Sequence, residues 1–204
     1  MKIKEKIKIR EIVPFLSLIA VIVFFEIVTN GTLLTLKNMK LIFNQAFVLI
    51  IGSVACSFIV AQGDVDFSMG SMVGITAVCA AWISQAAGGL ALPAAMLLGA
   101  ALGIINAILF VKFKIPSFVV TLSTLMVLRG LTIFIAGGGS VSVPFSLYKY
   151  DSFSLKLILC IVVIMAATFC FNYTKLGKWS KAIGSGITAA HQSGVPIGKM
   201  RLFG

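Results

Sequence analysis

Charge is what this sequence has least of. From Phe67 to Val111 there is no Asp, Glu, Lys or Arg at all, and only 11% of the 204 residues are charged. Soluble domains carry about 25%. A water-soluble domain of this length would have too few polar groups to cover its surface, so that class is excluded. Other absences are as informative. The four cysteines, Cys56, Cys79, Cys160 and Cys170, lie inside apolar runs with no CxxC or metal spacing, which argues against a disulfide framework. His191 is the single histidine and has no Cys or acidic neighbour at ligand spacing, so no metal is expected. There is no Walker lysine, no Ser-His-Asp set and no dinucleotide glycine pattern, and Gly137 to Gly139 lack a following Lys-Thr. No enzyme chemistry and no cofactor are expected.

What fills the sequence instead is apolar: 59% hydrophobic residues and a mean hydropathy of +1.09. Crossing a bilayer takes roughly 20 apolar residues, so Phe67 to Val111 is long enough for two passes. Backbone groups in hydrocarbon must be satisfied internally, which leaves helices or closed barrels. Continuous apolar runs without period-2 alternation select helices. The fold class is therefore all-α: a polytopic membrane protein of about six transmembrane helices. The expected spans are 12–28, 41–61, 72–85, 94–111, 117–136 and 155–171. The apolar run after the basic N-terminus exceeds the roughly 7–15 residues of a signal peptide core and no small-x-small site follows, so it reads as a retained first helix. Small residues Gly99, Ala100, Ala101, Gly103 and Ala107 in the fourth span allow close helix approach.

The net charge of +11 is explained by topology. With the N-terminus inside, six spans leave Lys2, Lys4, Lys6, Lys8, Arg10, Lys112, Lys114, Lys175, Lys178, Lys181, Lys199 and Arg201 in the cytoplasm. Only Lys37, Lys40, Lys149 and Lys156 fall outside, and Arg129 lies within a span. This positive-inside bias places both termini in the cytoplasm and leaves no basic face for nucleic acid. One membrane domain results: a basic cytoplasmic N-terminus (1–11), a transmembrane region (12–171) and a cytoplasmic segment (172–204).

A few polar positions interrupt the apolar pattern. In Gly63 to Ser71, GDVDFSMGS, two acids stand at the boundary of apolar segments. One reading is a short cytoplasmic loop with solvated acids. The other is a broken helix or re-entrant turn, with Gly63 and Gly70 permitting irregular backbone and Ser68 with Asp66 capping the resuming helix. Arg129, mid-span, wants an acid or helix-end carbonyls, and Asp66 is the candidate; the alternative is a pore-lining hydrogen-bond donor. Glu26 is expected to snorkel to the interface. Asn106 on a helix suits a bond to a neighbouring helix or to a polar solute.

Three segments, in order, resemble the permease subunits of ATP-binding-cassette importers for simple sugars, the ribose-type branch. The first is the Gly63 to Ser71 stretch, matching the family pattern at Gly63, Val65, Asp66, Ser68, Gly70 and Ser71, with Asp64 where Gly is usual and Phe67 for Leu. The second runs from Gly103 to Leu131, through Asn106, Ile115-Pro116, Phe118, Thr121-Leu122, Thr124 and Arg129-Gly130, with Ser123 where Gly is usual. The third is Thr174 to Val195, with Ala182-Ile183-Gly184, Ala189-Ala190 and Ser193-Gly194, and Ser185-Gly186 in place of Gly-Asn.

The resemblance implies a homo- or heterodimeric permease working with a cytoplasmic ATPase subunit and an extracytoplasmic sugar-binding protein. Its members continue through further helices, so the chain is expected to be the N-terminal part of a permease. Gly63, Asp66, Ser68, Gly70, Ser71, Asn106 and Arg129 become candidates for the translocation path or for a structural motif. The apolar, small-residue stretch from Ala182 to Val195 suits insertion into a cleft on a partner, punctuated by Gly177, Gly184 and Pro196. The resemblance makes that partner the ATPase, docked through Ala182, Ile183, Gly184, Ala189, Ala190, Ser193 and Gly194. The bland alternative is a basic loop held near anionic lipid by Lys175, Lys178 and Lys181. Other functions left open are a permease for a furanose-type quorum signal or nucleoside, an ion-coupled secondary transporter, and a non-functional permease fragment.

Overall fold

The structure is a computed structural model describing residues 9–144, 148 and 150–203. The basic patch Lys2 to Lys8, Lys149 and Gly204 lie outside the described residues. Six apolar helices run in chain order: α1 Ile9–Val28, α2 Leu36–Ala61, α3 Met69–Ala87, α4 Ala91–Lys112, α5 Ser117–Ile135 and α6 Phe153–Tyr173. Three short helices follow: α7 Lys175–Ser185, α8 Ile187–Gln192 and α9 Ile197–Phe203. No strand occurs among the described residues, in keeping with the all-α membrane class.

By length and composition, four helical stretches qualify as membrane spans, against the six expected. The difference has two physical sources. Met69–Lys112, taken as one stretch of 44 residues, would make a straight helix of about 66 Å, twice a bilayer core. It turns back at a single 3-10 turn, Gly88–Leu90, into the separate helices α3 and α4. The apolar part of α1, Ile12–Val28, is shorter than the other spans.

The chain divides into two compact units at Ala46/Phe47, inside α2. In the first, α1 stops at a left-handed Asn30 (φ 51°), and the Glu26 carboxylate accepts a hydrogen bond from the Leu34 N–H at 3.0 Å. Glu26 therefore ties down the turn into α2, where the sequence suggested a snorkelling side chain.

In the second unit, α3, α4 and α5 pack side by side. Gly99 on α4 faces the Thr76 methyl on α3, and Gly74 on α3 faces Thr132 on α5, each with room for about a methyl group at the contact. Asn106 near the end of α4 meets Ser68 at the start of α3, so α4 runs antiparallel to α3. The Gln85 amide donates to the Ser142 carbonyl at 3.0 Å, placing the chain after α5 at the far end of α3. Large apolar side chains line the outside: Phe134 is 82% and Met96 76% exposed. Such a surface suits lipid or protein neighbours rather than water.

Candidate functional site

The site starts where α2 stops. Gly63 adopts φ +82°, a left-handed conformation that suits glycine. Its N–H reaches the Val60 carbonyl (3.0 Å), and the Asp64 N–H reaches the Ile59 carbonyl (3.3 Å). This pair of bonds is a Schellman stop, which satisfies the last carbonyls of the helix. From Asp64 to Ser68 the backbone is neither helix nor strand, and α3 begins at Met69. The expected break is thus present, with Gly63 as its cause. Gly70 plays no such part: it lies in the first turn of α3, and a Cβ there would meet nothing within 4 Å.

Ser68 occupies the position before α3, but its hydroxyl makes no cap. The Asp66 carboxylate accepts both the Ser68 N–H (2.7 Å) and the Ser68 hydroxyl (2.6 Å). The Ser68 hydroxyl in turn accepts from the Asn106 amide at 3.1 Å, and the Asn106 carbonyl accepts from the Thr124 hydroxyl at 2.6 Å. Ser68 is fully buried and Asn106 is 8% exposed. One polar chain, Asp66–Ser68–Asn106–Thr124, therefore links the broken segment to α4 and α5. The Ser71 hydroxyl donates to the Ser68 carbonyl at 2.7 Å, completing the first turn of α3.

Arg129 does not join this chain. It is exposed on α5, and the ion pairs among the described residues are Lys156–Asp151 and Arg201–Asp64. Helix geometry explains why the expected pairing with Asp66 is not made. Thr124 points at Asn106; Arg129, five residues on, stands about 7.5 Å further along the axis and roughly 140° around it. Asp66 meanwhile is satisfied by Ser68.

The residues the sequence did not single out are Asp64's partners. One Asp64 oxygen accepts from the Ser117 hydroxyl at 3.2 Å; the other lies 3.4 Å from Arg201 Nε. The Arg201 guanidinium also sits over the Phe110 ring, 4.7 Å from its centre. A cavity of ≈ 330 Å³ opens beside these groups, lined in part by Asp64, Asp66, Asn106, Thr121 and Arg201. Motif matching pointed past Asp64 because it departs from the pattern; its signal was an acid directly after a helix-stopping glycine.

The segment α7–α9 folds back on this same end. Ile183, Ala190, Val195 and Met200 form a buried cluster flanked by Trp179, Ala182 and Ile197. A Cβ on Gly184 would overlap the Ala61 carbonyl oxygen, so α7 abuts the end of α2 directly. Gln62, buried, donates to the Met200 carbonyl at 3.5 Å. The seven residues expected to dock a partner thus separate. Ile183 and Ala190 are interior, Ala182 is half-buried, Gly184 is exposed on one side while its Cα face abuts α2, and Ala189, Ser193 and Gly194 are exposed.

Residues 38–204 match the family described as branched-chain amino acid transport system / permease component. The chain is similar to the ribose import permease protein of Escherichia coli strain K12, at 28% identity over 201 residues, which is 92% of this chain and 63% of that protein. It is also similar to the autoinducer 2 import system permease protein of Yersinia enterocolitica serotype O:8, at 29% over 197 residues, 92% of this chain and 55% of that protein. The corresponding Yersinia pestis (strain Pestoides F) protein matches at 29%, over 56% of its length. The chain therefore spans less than two thirds of the length of the curated relatives it matches. No solved structure matches it.

Proposed function

The chain belongs to the branched-chain amino acid transport system / permease component family, and we propose that it is a membrane-spanning subunit of an ATP-driven importer for a simple sugar. The match across residues 38–204 carries this reading. The names of the relatives favour ribose as substrate, with a furanose-type signal as the alternative. The sequence holds no nucleotide-binding motif, so ATP hydrolysis belongs to a separate cytoplasmic ATPase. Substrate is delivered by an extracytoplasmic binding protein, and a second permease subunit, identical or not, completes the path.

The end bearing Lys112, Lys114, Lys175, Lys178, Lys181, Lys199 and Arg201 is the cytoplasmic one by the positive-inside rule. The break from Gly63 to Ser68, held by Asn106, then lies at the inner mouth. Arg129 supports a path or subunit interface along α5. An isolated arginine facing hydrocarbon costs several kcal/mol, so the exposed face that carries it meets water or protein.

The ATPase docks on the outer face of α8, where Ala189 and Ser193 lie one turn apart and both are exposed. Ala190, 3% exposed, is part of the interior instead. Ala189→Glu in the full-length permease is expected to leave the membrane protein folded and to release the ATPase during purification. Retention of the ATPase by that variant, with normal uptake, would remove α8 as the docking face.

A further inference from the structure

Among the described residues, Asp64 is the one acid held between three separate elements. Asp64 follows the Schellman stop at Gly63 directly, so its backbone N–H is fixed to Ile59 and its direction is set by the helix end. Its side chain is 15% exposed. One carboxylate oxygen accepts from Ser117, the first residue of α5. The other faces Arg201 on α9. Arg201 rests on Phe110 near the end of α4, and its side chain is 23% exposed.

The Arg201 contact differs in kind from the others. At 3.4 Å its Nε lies within ion-pair range of the carboxylate but makes no directed hydrogen bond. Charge attraction without a directed bond holds two elements together and still tolerates a shift between them. Removing one partner leaves the other charge partly desolvated and unpaired, which is where such pairs cost most. The Ser117 bond, by contrast, fixes the carboxylate to α5. So a displacement of α9 acts on the Asp64 charge, and through it on the start of α5 and the broken segment leading into α3. Those are the elements joined by the Asp66–Ser68–Asn106–Thr124 chain.

We propose that the Asp64–Arg201 ion pair is the element that transmits movement of the cytoplasmic segment α7–α9 to the inner ends of α3 and α5, so that it couples ATP hydrolysis to opening of the path. The inference rests on the reading that α7–α9 dock an ATPase. It assigns the coupling to a charge pair rather than to the docking face itself. Where a glycine stands in place of Asp64, as in the pattern this segment resembles, the connection cannot be made by this charge.

The test uses the full-length permease purified with its ATPase and reconstituted with its binding protein, with D-ribose as the probe. The variants are Asp64→Asn, Arg201→Gln and the charge exchange Asp64→Arg/Arg201→Asp. Each single change is expected to keep the ATPase bound and to lower the stimulation of ATP hydrolysis by loaded binding protein roughly 5–10-fold, with uptake falling in parallel. The exchange should recover most of the stimulation. Loss of the ATPase from the unsubstituted complex would contradict the docking reading itself and is seen before any variant is made. Single variants with full stimulation would overturn the coupling role. So would variants that lose thermal stability or yield while each assembled complex still shows normal stimulation. An exchange that fails to restore what the single changes lose, assembly included, would overturn it as well.

Discussion

Asn106 is the residue that joins α3, α4 and α5 at the end next to the Gly63 break. Its amide donates to Ser68 and its carbonyl accepts from Thr124, so both polar ends are used in a buried position. Asn106→Leu leaves two hydroxyls without their partner, and bonds between membrane helices are worth about 0.6–2 kcal/mol. The variant should unfold with a stability loss of about 1–2 kcal/mol. A double-mutant cycle with Ser68→Ala should show the two changes costing less together than separately. Simple additivity would show that the Ser68–Asn106 bond carries no energy. At this scale the sequence was half legible. Gly63, Asp66 and Ser68 stood out because glycine, acid and serine interrupt an apolar run, and residue type alone signals a break. Which acid meets which base depends on helix phase and on where a turn ends. Arg129 and Asp66 therefore remain apart, while Asp64 and Arg201, far apart in the chain, come together.

Among the elements, the apolar helices were the most legible. Their existence follows from run length, and α5 begins at Ser117 where Pro116 (φ −53°, ψ 137°) holds the chain extended before the helix. The segment α7–α9 was less so. Its small residues signal close contact without saying with what, and several are spent inside the chain. Gly184 is the sharpest case. Gly184→Ala would drive a methyl into the Ala61 carbonyl, and an overpacked contact of that kind costs about 1–3 kcal/mol. Gly70→Ala has open space around it and should leave the folded stability of the permease unchanged or slightly raised. Thermal unfolding in detergent separates the two. Equal stability of both variants would show that α7 does not sit against the end of α2.

For the whole molecule, composition decides the class and the fold class follows from it, since an apolar surface of this extent places the chain in a membrane. Which helices neighbour one another was not legible, because apolar side chains exposed on every face give no preferred direction for packing. The pairing of α3, α4 and α5 is instead marked by a sparse polar feature, the buried Asn106 bonds to Ser68 and Thr124. The central claim is that this chain forms part of a sugar path driven by ATP from the end bearing α7–α9. It is tested most directly by uptake of radiolabelled D-ribose into proteoliposomes holding the full-length permease with its ATPase. Binding protein is supplied outside, and ATP is enclosed on the side of α7–α9. The account predicts uptake that requires both the binding protein and enclosed ATP, and that is unaffected by collapsing proton and sodium gradients. Uptake driven by an ion gradient without ATP would contradict it.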